Sequence, residues 1–456
     1  MIPIKPNYHP SIMEAALFFI FIIGLISYFI IELETVPHIP ILLGIFSLVA
    51  YGLMKRIPFH KLQEAMISGA NSGMGAVFLF FVIGILISSW MISGTIPALI
   101  NTGFSVIGTT WFYGIVFAVT AIIGVALGSS LTTVATIGVA FIGMAGAMEA
   151  SLAITAGAIV SGAFFGDKMS PLSDTTNLAS TIVGVDLFDH IKNISLTTIP
   201  AFIISFVIFI MLSPDKSVSL NSVENYQLAL QSANLIHWAS WIPLIVLIIC
   251  TIFKVPAFIA LMASSITATL SASITNNFTW SEIWTIWFNG YTGTTDFAPV
   301  NELLTKGGIN SMLFTISLVI LALSFGGLLF ITGILPSLLK ALQEKLQKTR
   351  SIILSTAATA IGVNVLIGEQ YLSILLTGET FKGIYEKAGL HKKALSRTLE
   401  DAGTVINPLV PWSVCGVFIA NVLGVSVLEY LPFAFFCLLS PLITILFGAR
   451  TAQLKK

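Results

Sequence analysis

The stretch 164–177 reads FFGDKMSPLSDTTN and concentrates the side chains that could do chemistry. Two carboxylates (Asp167, Asp174), one lysine (Lys168) and five hydroxyl or amide groups (Ser170, Ser173, Thr175, Thr176, Asn177) stand between the apolar runs 150–165 and 194–212. Ionisable groups at membrane depth are costly and normally face a protein interior or a wet cavity. Pro171 and Gly166 argue against a continuous helix, and unwound backbone is tolerated in a membrane only where it lines a cavity or is buried. The pattern predicts an ion or substrate site. Hard monovalent cations favour several oxygens, some of them anionic, and carbonyls freed by a broken helix add more. Burial favours the protonated carboxyl and a bound cation favours the charged one, so one aspartate can trade a proton for a cation. Asp167 and Asp174 are the expected cation and proton ligands. The alternative for either is a salt bridge with Lys168 at a helix end.

Three other places share this signature. Residues 400–408 read EDAGTVINP, where Thr404, Asn407 and the carbonyls beside Pro408 could complete a cage from the opposite side. Asp401 and Glu400 there either contribute to the site or end a solvated helix. Gly368-Glu369-Gln370-Tyr371 sits between apolar runs with Asn364 one turn before it. Glu369 reads as a functional acid with Gln370 beside it, or as a cap at a helix break. Gly128-Ser129-Ser130-Leu131-Thr132-Thr133 offers hydroxyls without charge. Ser129, Ser130, Thr132 and Thr133 either touch substrate or bond back to their own helix.

The elements that position these residues must be membrane helices. Of 456 residues, 56% are hydrophobic and only 9% charged, with a mean hydropathy of +0.96; a soluble domain this long could not cover its surface so sparsely. Apolar runs recur at 12–31, 39–53, 76–92, 112–127, 131–148, 152–165, 196–212, 238–253, 257–273, 312–334, 352–367, 405–425 and 431–447, about 10–14 membrane segments. The first run lacks a cleavage site and reads as a retained helix. The lipid bilayer is thus the principal partner. Net charge is zero, which gives no hint of nucleic-acid binding. Cys250, Cys415 and Cys437, scattered in apolar context, suggest packed small residues and neither a disulfide nor a metal site. Gly69/Gly73, Gly124/Gly128 and Gly162/Gly166 have small-xxx-small spacing for close helix packing. Trp238, Trp241, Trp280, Trp284 and Trp287 look like an interfacial belt. With no Walker A loop or zinc-ligand spacing, nucleotide hydrolysis is disfavoured and no cofactor is expected.

The chain also carries signs of duplication. Asn71-Ser72 recurs as Asn310-Ser311, Gly94 as Gly333 and Pro97 as Pro336; Ser170-Pro171-Leu172 answers Asn407-Pro408-Leu409, Gly184-Val185 answers Gly424-Val425, and Gly128 pairs with Gly362. This divides the chain into a first transmembrane repeat (1–212), a polar connector (213–235) and a second repeat (236–456). Positive charge in short loops marks the cytoplasmic side. Lys55, Arg56 and Lys61 follow the second span, while Glu32 and Glu34 precede it. In the later half the signs swap: Lys254 answers the acidic turn, and Lys340, Lys345, Lys348 and Arg350 answer the uncharged 93–110. The expected fold is an all-α polytopic membrane protein of two inverted-topology repeats whose broken or re-entrant helices meet at mid-membrane, an arrangement of secondary transporters. Segment 381–400 is too charged to span, which leaves the number of crossings open.

FGDKMSPLSDTTN together with GEQYLSILL and EDAGTVINPLVPWS resembles the NhaC-type sodium/proton antiporters, within an ion-transporter superfamily that also contains dicarboxylate carriers. The likeness runs over essentially the full chain. It implies cation/proton antiport in a bacterial cytoplasmic membrane, with Na+ and H+ as transported ions. Asp167, Ser170, Asp174, Thr175 and Asn177 stand where the family motif stands, and Glu369 matches the acidic position of the second. Where some members have a GTSWGT-like stretch, this chain has Gly128-Ser129-Ser130-Leu131-Thr132-Thr133. The family includes a relative exchanging malate and protons for sodium and lactate, so a small carboxylate or an amino acid is the rival substrate. The candidate segments hold no arginine for a bulky anion, which favours a bare cation, although open helix N-termini could also serve. A channel or a membrane-embedded enzyme is less favoured: a channel would more readily build symmetry from identical subunits, and the six histidines sit mostly in loops. A homodimer is compatible with the sequence.

Overall fold

The structure is a computed structural model that describes residues 6–106, 110–214, 220–343 and 348–451. Lys345 and residues 215–219 of the polar connector lie outside the described residues. Without water to satisfy backbone groups in lipid, helices are the natural spanning element for a chain of this hydropathy. Apart from a two-residue bridge between Tyr291 and Lys306, the regular structure among the described residues is helical. Among the described residues, eight helices are long and apolar enough to cross a membrane: Ile12–Glu32, Met74–Ile92, Ser130–Ala147, Leu152–Met169, Leu187–Leu212, Ala257–Thr275, Ile309–Ile331 and Thr349–Ile367. Two bent pairs, Lys392–Leu409 with Val414–Leu423 (46°) and Val427–Phe433 with Phe435–Leu446 (56°), raise the number to ten if each is one span. His38–Met54, Phe112–Leu127 and Trp238–Ile252 are shorter apolar helices. The charged 381–400 stretch holds the end of one helix, Gln370–Lys387, and the start of the bent pair that begins at Lys392.

Eight elements build the centre: α1 (Phe112–Leu127), α2 (Ser130–Ala147), α3 (Leu152–Met169), α4 (Asp174–Val183), α5 (Thr349–Ile367), α6 (Gln370–Lys387), α7 (Lys392–Leu409) and α8 (Val414–Leu423). The chain breaks between them at residues suited to breaking. Gly128 and Gly368 end α1 and α5 in the left-handed conformation, φ +66° and +72°, which costs glycine little. Ser129 and Glu369 then cap the next helix, accepting from the N–H groups of Thr132 and Leu372. Ser173 and Ser413 likewise cap α4 and α8, and Gly184 and Gly424 end them, both at φ +73°. Matched turns therefore pair Gly128 with Gly368, Pro171 with Pro411, Ser173 with Ser413 and Gly184 with Gly424, at one offset. Gly362, which the sequence pattern set against Gly128, lies inside α5. The proline expected to answer Pro171 was Pro408; the caps put Pro411 there, and Asn407 then stands opposite Asp167.

The glycine spacings serve close packing. A methyl group on Gly166 would lie 2.4 Å from the backbone of Gly124, and one on Gly162 would lie 2.6 Å from the Phe117 carbonyl, so α3 crosses α1 backbone to backbone. Gly69 meets Leu323 and Gly327 of Ile309–Ile331 in the same way. Outward faces are apolar: Ile199, Ile203, Val207 and Met211 of Leu187–Leu212 are all exposed, as expected for contact with lipid.

Candidate functional site

A cavity of ≈ 490 Å³ opens where α2, α4, α6 and α8 begin. Its wall includes Ser129, Ser130 and Thr132 at the start of α2, Asp174 and Thr175 of α4, Glu369, Gln370 and Tyr371 of α6, and Val414 and Cys415 of α8. Four helix N-termini thus converge on one space. The free N–H groups at a helix start carry partial positive charge and favour anionic groups close by. The chain supplies those anions itself.

Asp167, in the last turn of α3 and 4% exposed, accepts at Oδ2 from the Ser130 N–H (3.2 Å) and Ser130 Oγ (2.7 Å). Its carboxylate therefore caps α2 from a neighbouring helix. Glu369 Oε2 accepts from the Leu372 N–H at 2.7 Å and caps α6 from within. Asp174 is the first residue of α4 and is exposed on the cavity wall. Two further residues of the same wall each carry a buried side-chain oxygen without a partner among the described residues, Thr132 Oγ1 and Gln370 Oε1. Together these groups line one space with anionic and neutral oxygens, the chemistry that hard ions favour, although among the described residues no three acidic, histidine or cysteine side chains stand close enough to hold one ion.

The remaining candidates support the walls instead of lining them. Ser170 Oγ accepts from the Leu172 N–H and lies against Gly128. Ser173 caps α4 and bonds Thr175 Oγ1 at 3.0 Å. Thr176 Oγ1 donates to the Lys168 carbonyl (3.2 Å), and Asn177 Nδ2 to the carbonyls of Ser173 (2.7 Å) and Pro171 (3.1 Å). Thr133 bonds back to the Ser129 carbonyl. On the other side, Asn364 Nδ2 donates to the Gly403 carbonyl (2.6 Å) and its Oδ1 accepts from Asn407 Nδ2 (2.9 Å). Asn407 Oδ1 accepts from the Cys415 N–H at 3.0 Å, and its carbonyl accepts from Ser413 Oγ. The expected cage around Thr404, Asn407 and Pro408 is thus a buried brace behind α8. The Val414 N–H bonds the Gly368 carbonyl at 2.8 Å and ties that brace to the Glu369 turn.

Asp401 and Glu400 do not end a solvated helix; both are fully buried. Asp401 forms an ion pair with Lys168, and Ser440 (2.7 Å), Thr197 (2.8 Å) and Thr444 also donate to it. The salt bridge considered for Lys168 exists, but with Asp401 and not with Asp167 or Asp174. Asp401 is outside the cavity wall. Sequence reasoning missed Lys254, which follows Trp238–Ile252 and lines the cavity with Thr251 and Tyr371. A lysine between two apolar runs is the same signal that marks Lys168, and it points to the site as well as to orientation.

A Na+/H+ antiporter family model matches residues 162–450. The Na+/H+ antiporter NhaC of Alkalihalophilus pseudofirmus is 42% identical over 92% of this chain and 91% of its own length. NhaC of Bacillus subtilis is 38% identical over 94% of this chain and 96% of its own. The malate-2H+/Na+-lactate antiporter of Bacillus subtilis is 30% identical over 96% of this chain and 94% of its own. With these matches spanning nearly its whole length, the chain belongs to the Na+/H+ antiporter family.

Proposed function

We propose that this protein is a secondary transporter of a bacterial cytoplasmic membrane that expels Na+ in exchange for inward H+, and that the exchange happens at the cavity walled by Asp167, Asp174 and Glu369. The observation that carries this reading is that these three carboxylates line one cavity at four helix starts. A carboxylate that holds a proton offers no charge to Na+; once it sheds the proton it becomes a ligand. Competition for the same oxygens then couples the two flows without any covalent step. The family of the chain and the names of its two NhaC relatives support this assignment.

A second reading is favoured by one specific feature: Lys254 and the N–H groups of four helix starts could together hold a small carboxylate. One of the relatives is named for malate and lactate. Proteoliposomes with an internal pH dye, challenged in turn with sodium, lithium, potassium, malate and lactate, separate the two. Na+ alone should drive proton movement; a response only when an organic acid is present would replace the first reading with the second.

The matched turns at Gly128/Gly368 and Gly184/Gly424 support two repeats, and the lysine and arginine bias supports their inversion. Single cysteines placed in 55–61 and at Lys340 or Lys348, in a background lacking Cys250, Cys415 and Cys437, should all resist an impermeant thiol reagent in whole cells. Labelling of one loop from outside would break the inversion.

A further inference from the structure

Behind the cavity lies an acid that the exchange mechanism leaves unused. Glu400 is fully buried, on the π-helical turn Glu400–Thr404 inside α7. Neither of its carboxyl oxygens has a hydrogen-bond partner among the described residues. Thr404 stands beside it, its hydroxyl also without a hydrogen-bond partner among the described residues. The charged groups near enough to act on it are Lys168 and Asp167 of α3 and Asp401 on its own turn. Arg397, one turn earlier, acts on Asp401 and Tyr385, and His190 of Leu187–Leu212 faces Lys168 and Asp401 while bonding Ser396 at 2.9 Å.

Lys168 is already committed to Asp401. A second ionised carboxylate in this space would be buried without hydrogen bonds and without a cation of its own, which is far costlier than burying the neutral acid. Two partners for its charged form wait close by: the Lys168 ammonium and the Thr404 hydroxyl. The turn that carries it is a π-bulge, a helical irregularity that can move by one residue and that recurs at functional sites.

We propose that Glu400 is a proton-carrying residue of the exchange cycle, distinct from the cavity acids. It holds a proton in the conformation described, and gives it up to water when the bulge shifts and Lys168 is shared between Asp401 and Glu400. Na+ does not bind there; the site adds a proton to the stoichiometry.

The assignment rests on the Na+/H+ reading, and wild-type vesicles without Na+-driven proton movement would end that reading before this one is reached. The test is Glu400→Gln, which keeps the shape of the protonated acid and cannot ionise. The variant should retain Na+/Na+ tracer counterflow at the wild-type rate while moving fewer protons per Na+ against a set pH gradient. Wild-type stoichiometry would show that Glu400 never ionises and overturn the proposal. Lost counterflow in a folded variant would place Glu400 in the Na+ path and overturn it as well. Should Glu400→Gln not fold, difference infrared spectra on a Na+ jump provide the second measurement. A protonated-carboxyl band that changes in the wild type should shift in frequency in Glu400→Asp, and a band unmoved by that substitution would overturn the assignment.

Discussion

The turns at Gly128 and Gly368 share a backbone and differ in where their charge comes from. Each ends a helix in the left-handed conformation, and each is followed by a capping residue that starts a new helix at the cavity. At the second turn the cap itself is the acid, Glu369. At the first the cap is Ser129, and the acid is brought in from α3 as Asp167. At the place matching Asp167, α7 carries Asn407, spent on a brace. Each helix start thus has a carboxylate near it by a different route. One acid is held by its own turn; the other depends on two helices staying in register.

That contrast can be broken in order of effect. Asp167→Asn removes a charge-assisted cap and, on the proposed mechanism, a cation ligand with it. Na+-driven proton movement should fall by roughly a hundredfold, corresponding to loss of the 2–3 kcal/mol of a charged hydrogen bond. Ser129→Glu added to that variant rebuilds the Glu369 arrangement at the first turn and should restore part of the flux; no recovery would mean that the position of the acid, and not its presence, decides. Glu369→Gln should lose exchange to a similar degree but with less loss of thermal stability, because its cap lies within its own turn whereas that of Asp167 holds two helices together.

Asp174 sharpens the comparison from outside both turns. It is exposed and holds no cap of another helix, so Asp174→Asn should weaken apparent Na+ affinity while expression and melting temperature stay at wild type. Vesicle titrations with Na+ decide this, and normal exchange by the variant would remove Asp174 from the mechanism.

The pH dependence follows from competition. A carboxyl group that must shed a proton to bind Na+ binds it fully above its own titration and loses it as pH falls. Apparent Na+ affinity should then drop about tenfold per pH unit below that point for one coupled proton. With the potential clamped at zero, a half-saturation that stays flat over the active range would speak for separate routes. The smallest effects concern the turns themselves. Gly128→Ala and Gly368→Ala each force a left-handed alanine, at roughly 1–2 kcal/mol, and Gly128→Ala adds a methyl 2.6 Å from Leu172 Cβ where Gly368→Ala finds 3.1 Å to Ser413 Cα. Thermal unfolding in detergent should fall in both variants and further in the first.

The sequence made the membrane helices, the breaks and the three cavity acids legible because each is a local exception to its surroundings. Asp167, Asp174 and Glu369 could be picked out one at a time. What it could not show was pairing across the fold. Lys168 reads identically whether it bridges a neighbour in its own segment or Asp401 more than two hundred residues away. Asn407 and Thr404 look like ligands because their chemistry suits a cation, yet Asn407 is consumed by Asn364 and Cys415. Pro408 and Pro411 are equally good matches to Pro171 as letters, and only the serine caps distinguish them.

The crossing of α1 and α3 has a further consequence for tuning. Gly124 lies one turn before the Gly128 bend, and Gly166 immediately precedes Asp167, so the contact between these two glycines sets the clearance between the carboxylate and the Ser130 N–H. It works as a spacer of zero thickness. In the proposed exchange, ion selectivity depends on how far the cavity oxygens stand apart, and that gauge would be kept by two residues outside the cavity wall. A methyl at either one would then shift the preference between Na+ and a larger alkali cation without a change in any proposed ligand.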